Sequence, residues 1–172
     1  MKPKIHLLRS IPTTLSYQNV IDMIQKHGFF ERKRNPAGKG ISHQYVPWND
    51  EFVIDKTTGL MWQRGVSDAK SNRKDVIEYM NKLNRDNFAG YNDWRLPTLE
   101  ELMSLMEPRQ NKDGAYINAL FYKQQIYVWS RDTLETAPRV WAVSFYFAEC
   151  YSMRVRGDSL SGVRFVRSWS SS

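Results

Sequence analysis

The segment Asp93-Trp94-Arg95-Leu96-Pro97-Thr98-Leu99-Glu100-Glu101-Leu102 leaves the backbone few choices. Pro97 disfavours helical dihedrals at Leu96, so a helix begins after it. Thr98 suits the N-cap, its hydroxyl accepting from the Glu101 amide. Glu101 is spaced to reach back to the Thr98 amide, which completes a capping box. Leu99, Leu102, Met103 and Met106 then recur at helical spacing. Glu100 and Glu101 fit the positive end of this helix better than a catalytic acid pair. Trp94 and Arg95, just ahead of the cap, read as structural, with a ligand site as the alternative.

The rest of the chain supplies elements for this helix to pack on. Ser16 suits a first N-cap, with Leu15 placed to staple on Val20 and Gly28 placed to end the helix. Asn35 to Gly40 is a loop by composition. Phe52–Asp55 and Leu60–Gln63 read as strands joined by a turn, and a helix is expected from about Asn72 to Arg85. The Thr98 helix is expected to run to Glu107-Pro108. Further on, Tyr127–Arg131, Val140–Phe147, Tyr151–Arg156 and Val163–Val166 alternate as half-buried antiparallel strands. The expected fold is therefore α+β, with two helices packed on twisted antiparallel strands. Residues 1–50 would form a small basic helical appendage, and residues 51–169 the main domain.

Charge is unevenly placed. Residues 1–43 hold eight Lys/Arg against Asp22 and Glu31, which is +6 of the net +7. Such a region suits nucleic acid or an acidic partner, and a solvated surface is the alternative. Cys150 is the lone cysteine, so neither an internal disulfide nor a cysteine-based zinc cage can form. His6, His27 and His43 lack ligand spacing, and Trp48-Asn49-Asp50 stands without further converging oxygens, so no metal and no cofactor is expected. No catalytic motif is present, and the expectation is a protein that is not an enzyme. No apolar run is long enough to span a membrane, and the basic start has too short an apolar run for a signal peptide. The expected location is cytoplasmic, with non-Sec export or a phage particle as alternatives.

Three segments together resemble a known family. Asp55-Lys56-Thr57-Thr58-Gly59-Leu60-Met61-Trp62-Gln63, Ala89 to Thr98, and Val163-Arg164-Phe165-Val166-Arg167 are similar, in order, to the Lcl C-terminal domain family of bacterial proteins. That resemblance implies a C-type-lectin-like fold whose loops and C-terminal strands bind ligand. It also implies relatives that bind sulfated polysaccharides, and proteins of this broad fold whose C-terminal face is diversified by retroelements. Arg95-Leu96-Pro97-Thr98 with Glu101, and Gly162-Val163-Arg164, are distantly similar to formylglycine-generating sulfatase-modifying enzymes. Their chemistry uses paired cysteines, which this chain lacks.

Candidate ligand-binding residues follow from the C-terminal hairpin. They are Tyr146, Glu149, Tyr151, Ser152, Arg154, Arg156, Asp158 and Ser159, bordered by Trp129 and Arg131. Rigid aromatics mixed with adaptable polar groups resemble known binding surfaces, and an ordinary solvated face is the alternative. Arg154, Arg156, Arg164 and Arg167 could gather on the same surface and suit anionic groups. Trp62, Trp94, Arg95, Pro97, Thr98 and Glu101 are assigned to the scaffold. The expected partner is a protein or glycan ligand, with homo-oligomerisation open. Docking of nucleic acid or an acidic partner on the N-terminal region is the second reading.

Overall fold

The expected capping box of the Pro97-Thr98 segment is formed. The Glu101 amide donates to Thr98 Oγ1 at 3.2 Å and the Thr98 amide to Glu101 Oε2 at 2.9 Å. Arg95 adds a two-pronged ion pair to the same carboxylate, at 2.7 Å on each oxygen. Ser16 and Asn19 form the equivalent box in the first helix, which Gly28 ends at φ +65, a conformation that favours glycine.

The computed structural model of the chain describes residues 5–68, 73–122, 126–136, 138–154 and 161–170. Among these the elements run β1 (Thr14–Leu15), α1 (Tyr17–His27), β2 (Tyr45–Pro47), β3 (Phe52–Asp55), β4 (Leu60–Gln63), β5 (Ser67–Asp68), α2 (Arg73–Arg85) and α3 (Leu99–Ser104). They continue with β6 (Tyr127–Leu134), β7 (Arg139–Ser144), β8 (Glu149–Arg154), β9 (Ser161–Val163) and β10 (Val166–Ser168). The larger sheet has the order β5-β9-β6-β7-β8, with β1 also on β6, and the smaller is β10-β4-β3-β2. The chain is thus α+β, built on two curled sheets.

Two expectations change. α3 ends at Ser104 rather than at Glu107, because the Leu105 and Met106 amides turn back to the Leu102 and Met103 carbonyls in a tightened last turn. The single strand expected at Val163–Val166 is two, β9 in the larger sheet and β10 in the smaller. Arg164 and Phe165 between them are fully buried. The described residues 5–50 also pack on the rest of the chain. β1 pairs in parallel with β6, and Leu15, Val20, Ile24 and Phe29 share one hydrophobic cluster with Trp62, Leu102, Trp141 and Phe145.

The larger sheet is packed on both sides. Trp141, Val143 and Phe145 enter the cluster that holds α1 and α3. Val140, Ala142 and Trp129 face a second cluster with Val76, Met80 and Leu83 of α2, Trp94 and Phe165. The Trp94 segment ties these layers together. Asn84 of α2 bonds both the amide and the carbonyl of Trp94 at 2.8 Å, and Arg95 exchanges backbone bonds with Val166 of β10 at 2.9 Å.

Strand β6 carries a bulge. Trp129 pairs with Ala142 and Thr133 with Val140, so β6 holds extra residues around Asp132. The bulge presents the buried Asp132 carboxylate to four donors: the Leu99 amide at 2.7 Å, the Thr13 amide at 2.8 Å, and both guanidinium nitrogens of Arg9 at 2.9 and 2.7 Å. One side chain thereby holds the start of α3, the approach to β1 and the N-terminal arm. Replacing Asp132 with Ala strands a charge and two amides, and should cost at least about 3 kcal/mol in urea denaturation. Thr98→Ala, which removes one cap, should cost about 1 kcal/mol.

A candidate ligand-binding face

The β7–β8 hairpin sets the geometry. Ser144 pairs with Glu149, Ala142 with Tyr151, Trp141 with Ser152 and Arg139 with Arg154. Side chains alternate across the sheet, so the expected binding residues divide between two faces. Glu149 and Tyr151 share the face of Ala142, whereas Ser152 and Arg154 share that of Trp141. Ser152 is covered there: its hydroxyl meets Tyr17 Oη of α1 at 2.7 Å and accepts from Arg139 Nε at 3.2 Å.

On the Glu149 face a connected group of side chains forms. Tyr151 Oη donates to Glu149 Oε2 at 2.7 Å, and Lys33 Nζ reaches the same oxygen at 2.7 Å. Tyr127 of β6 packs edge-on to Tyr151, ring centroids 5.7 Å apart. Arg32 stands next to Lys33. Its amide donates to the Ala148 carbonyl at 2.9 Å, its guanidinium donates to Tyr116 Oη at 2.5 Å, and it lies 5.1 Å from that ring's centroid. Tyr146 and Phe147, in the turn between the strands, are exposed.

The turn that delivers Arg32 and Lys33 is built around the buried Glu31. Its carboxylate accepts from the amides of Lys33 and Arg34 and from Arg34 Nη1, at 3.1, 2.5 and 3.0 Å. Arg34 Nη1 also donates to the Cys150 carbonyl at 3.3 Å. The turn therefore closes the outer edge of β8 with side chains and an amide rather than with another strand.

Electrostatics follow the contacts. Burial works against the Glu149 charge, but the hydrogen bonds from Lys33 and Tyr151 outweigh it and hold the carboxyl below its usual range. The Tyr151 hydroxyl is raised, by burial first and then by its bond to Glu149. Burial pushes the Cys150 thiol up to about 12, which keeps it from acting as a thiolate near neutral pH.

Several expected site residues fall elsewhere. Trp129 is a correction: it is 2% exposed and belongs to the second cluster, because it shares the Ala142 face where α2 covers the sheet. Arg131 is half-buried in the β6 bulge, its amide bonded to the Pro97 carbonyl at 2.8 Å. Arg164 does not join an arginine surface. It is fully buried, donates to the Gln63 and Arg64 carbonyls at 2.5 and 2.6 Å, and burial brings it down to about 9. Arg167 pairs with Asp93 at 2.6 Å over the Tyr91 ring, on the smaller sheet. Arg156, Asp158 and Ser159 lie outside the described residues. Arg154 is exposed.

Sequence reasoning missed Lys33, Arg32, Tyr116 and Tyr127 as members of this face. The charged run Glu31–Arg34 was the available signal, but its seat against β8 depends on tertiary packing. Asn49 of the Trp48-Asn49-Asp50 tripeptide is used locally, its side chain accepting from the Glu51 and Phe52 amides at 2.8 and 2.9 Å. Among the described residues, no group of three or more His, Cys, Asp or Glu side chains is arranged to hold a metal ion, and no helix is long and apolar enough to cross a membrane.

The architecture is that of a mixed α+β domain whose C-terminal hairpin is braced by its N-terminal turn. The chain belongs to the Lcl C-terminal domain family, whose model matches residues 51–167. No curated protein and no solved structure matches it.

A pH dependence follows from Glu149. Its folded-state affinity for a proton is lowered, so it contributes stability above the usual carboxyl value of 4.5 and loses it as the pH falls through its folded value. Glu149→Gln should melt below wild type at neutral pH, with the gap narrowing as the pH drops below 4.5, read by thermal denaturation across pH.

Proposed function

We propose that this protein is a non-catalytic recognition module, a C-type-lectin-like domain that presents the face around Tyr146, Glu149 and Tyr151 to a protein or glycan ligand. One observation carries the reading. Cationic, acidic and aromatic side chains form two contact groups, Lys33–Glu149–Tyr151–Tyr127 and Arg32–Tyr116, which the adjacent residues 32 and 33 of one turn bring together near the exposed Tyr146 and Phe147 of the hairpin turn. Such mixtures bind through rigid aromatic anchors and adaptable polar groups. Family membership and the antiparallel β6–β7–β8 arrangement support the lectin-like assignment.

Diversification of this face by a retroelement is the finer part of the same proposal, and a nearby reverse transcriptase with a template repeat would mark it. The non-catalytic reading is supported by the burial of Cys150 with its raised thiol. Sulfatase-modifying chemistry uses paired cysteines, which a chain with Cys150 alone does not have. The second reading, nucleic acid on the N-terminal region, gains little from the charges there. Arg9, Lys33 and Arg34 are engaged by Asp132, Glu149 and Glu31.

Immobilised heparin, a sulfated polysaccharide, offers a direct test, supplemented by a glycan array and a protein-interaction screen. Tyr146→Ala and Arg32→Ala should each lower affinity for the ligand found by about tenfold. Both are exposed, so stability should shift by no more than about 0.5 kcal/mol. Unchanged binding in both variants would remove the face from the reading.

A further inference from the structure

A cavity of about 410 Å³ lies away from this face, between the loop at 39–45, the exit of α3 and Asn118. Its size is within the roughly 300–1,000 Å³ of small-molecule sites. It shares no lining residue with the face around Tyr146 and Glu149.

The walls are held in place by the fold. Gly40 has φ +68, and a Cβ there would lie 2.9 Å from the Met106 carbonyl oxygen, so the loop runs against the end of α3 as only glycine permits. The Gly40 amide bonds the Gly28 carbonyl at 3.0 Å. At the other end, His43 is clamped between two acceptors, Asp55 Oδ2 and the Ser104 carbonyl, each at 2.7 Å, and Tyr45 stacks on its ring at 4.9 Å. The opposite wall is fixed by the Glu107 amide on the Tyr116 carbonyl at 2.9 Å. A pocket with such walls is formed before any ligand arrives.

Its lining is amphipathic. Ile41, Met106 and Pro108 offer apolar surface, while Lys39 and Arg109, both exposed, make no ion pair among the described residues. Glu107 is the acid of the lining, and Asn118 Nδ2 lies 3.4 Å from its Oε1. Two uncommitted cations against one acid leave the cavity positive, and the fork of Arg109 suits a carboxylate.

We propose that this cavity binds a small organic carboxylate with an apolar body, Lys39 and Arg109 taking the carboxylate and Ile41, Met106 and Pro108 the body. The proposal is independent of the ligand bound at the face. Its test uses phenylacetate as probe and 2-phenylethanol as the neutral analogue, with the methyl resonances of Ile41 and Met106 as the readout on the full chain. Phenylacetate should give saturable shifts at both methyls, and the alcohol should bind about tenfold more weakly. Lys39→Ala combined with Arg109→Ala should keep the melting temperature and bring phenylacetate down to the affinity of the alcohol. Absence of saturable shifts, equal affinity for acid and alcohol, or an unaltered phenylacetate affinity in the double variant would each overturn it.

Discussion

The carboxylate of Asp132 is the point on which the larger sheet, α3 and the N-terminal arm all depend. A buried carboxylate is costly unless its lone pairs are filled, and this one accepts from Leu99, Thr13 and both terminal nitrogens of Arg9. The bulge in β6 turns the side chain inward, and Ser130 within that bulge donates to the Trp141 carbonyl of β7 at 2.8 Å. Arg9 in turn reaches Glu100 at 3.6 Å, and Thr98 Oγ1 donates to the Arg9 carbonyl at 2.7 Å. The helix cap, the bulge and the arm are thus one polar unit set into an apolar interior. Partial satisfaction would be worse than none, which is why its members stand or fall together.

That unit explains how the described N-terminal residues from Arg9 onward pack on the sheet. Their charges suggest an exposed docking piece, yet Arg9 is spent on Asp132 and Glu100, and Arg34 on Glu31. Lys33 is spent on Glu149, at the start of β8. Net charge reports neither distance nor direction, so +6 over 43 residues could not reveal that Arg9 and Lys33 pair with acids from elsewhere in the chain.

Local order was legible and long-range order was less so. Ser16, Gly28 and Thr98 marked their helix ends correctly because caps are local chemistry. β3 and β4 lie where two short strands joined by a turn were expected. Trp62, Trp94 and Trp141 are buried as expected of large aromatics beside structural motifs. The two misplaced site residues, Trp129 and Arg164, have separate physical reasons. Alternation implies one inner and one outer face, whereas β7 is buried along both, so Ser144 is as enclosed as Val143. No period-two pattern distinguishes a sheet with one covered face from one with two unless its outer positions are strongly polar. Trp129 departs from expectation for that reason, and Arg164 because a buried arginine that donates to two carbonyls and lies 4.8 Å from the Phe121 ring looks like any surface arginine in sequence.

For the recognition role proposed above, burial of β7 on both sides limits where binding residues can vary. From Val140 to Phe145 every residue is enclosed, so a change there disturbs one cluster or the other. Release comes at Tyr146 and Phe147 and, after the buried Ala148 to Cys150, resumes in the outer part of β8, where Tyr151 to Arg154 are half-buried or exposed. The Glu31 turn closes the edge of β8 through Arg32 and Arg34, which lets that strand vary its side chains without offering an open ladder to another chain. Under that proposal, a strand buried on both faces next to one with exposed positions would separate the demands of stability from those of binding. That separation favours the β7–β8 turn and the outer half of β8 as the place where a new ligand could be accommodated at least cost to the fold.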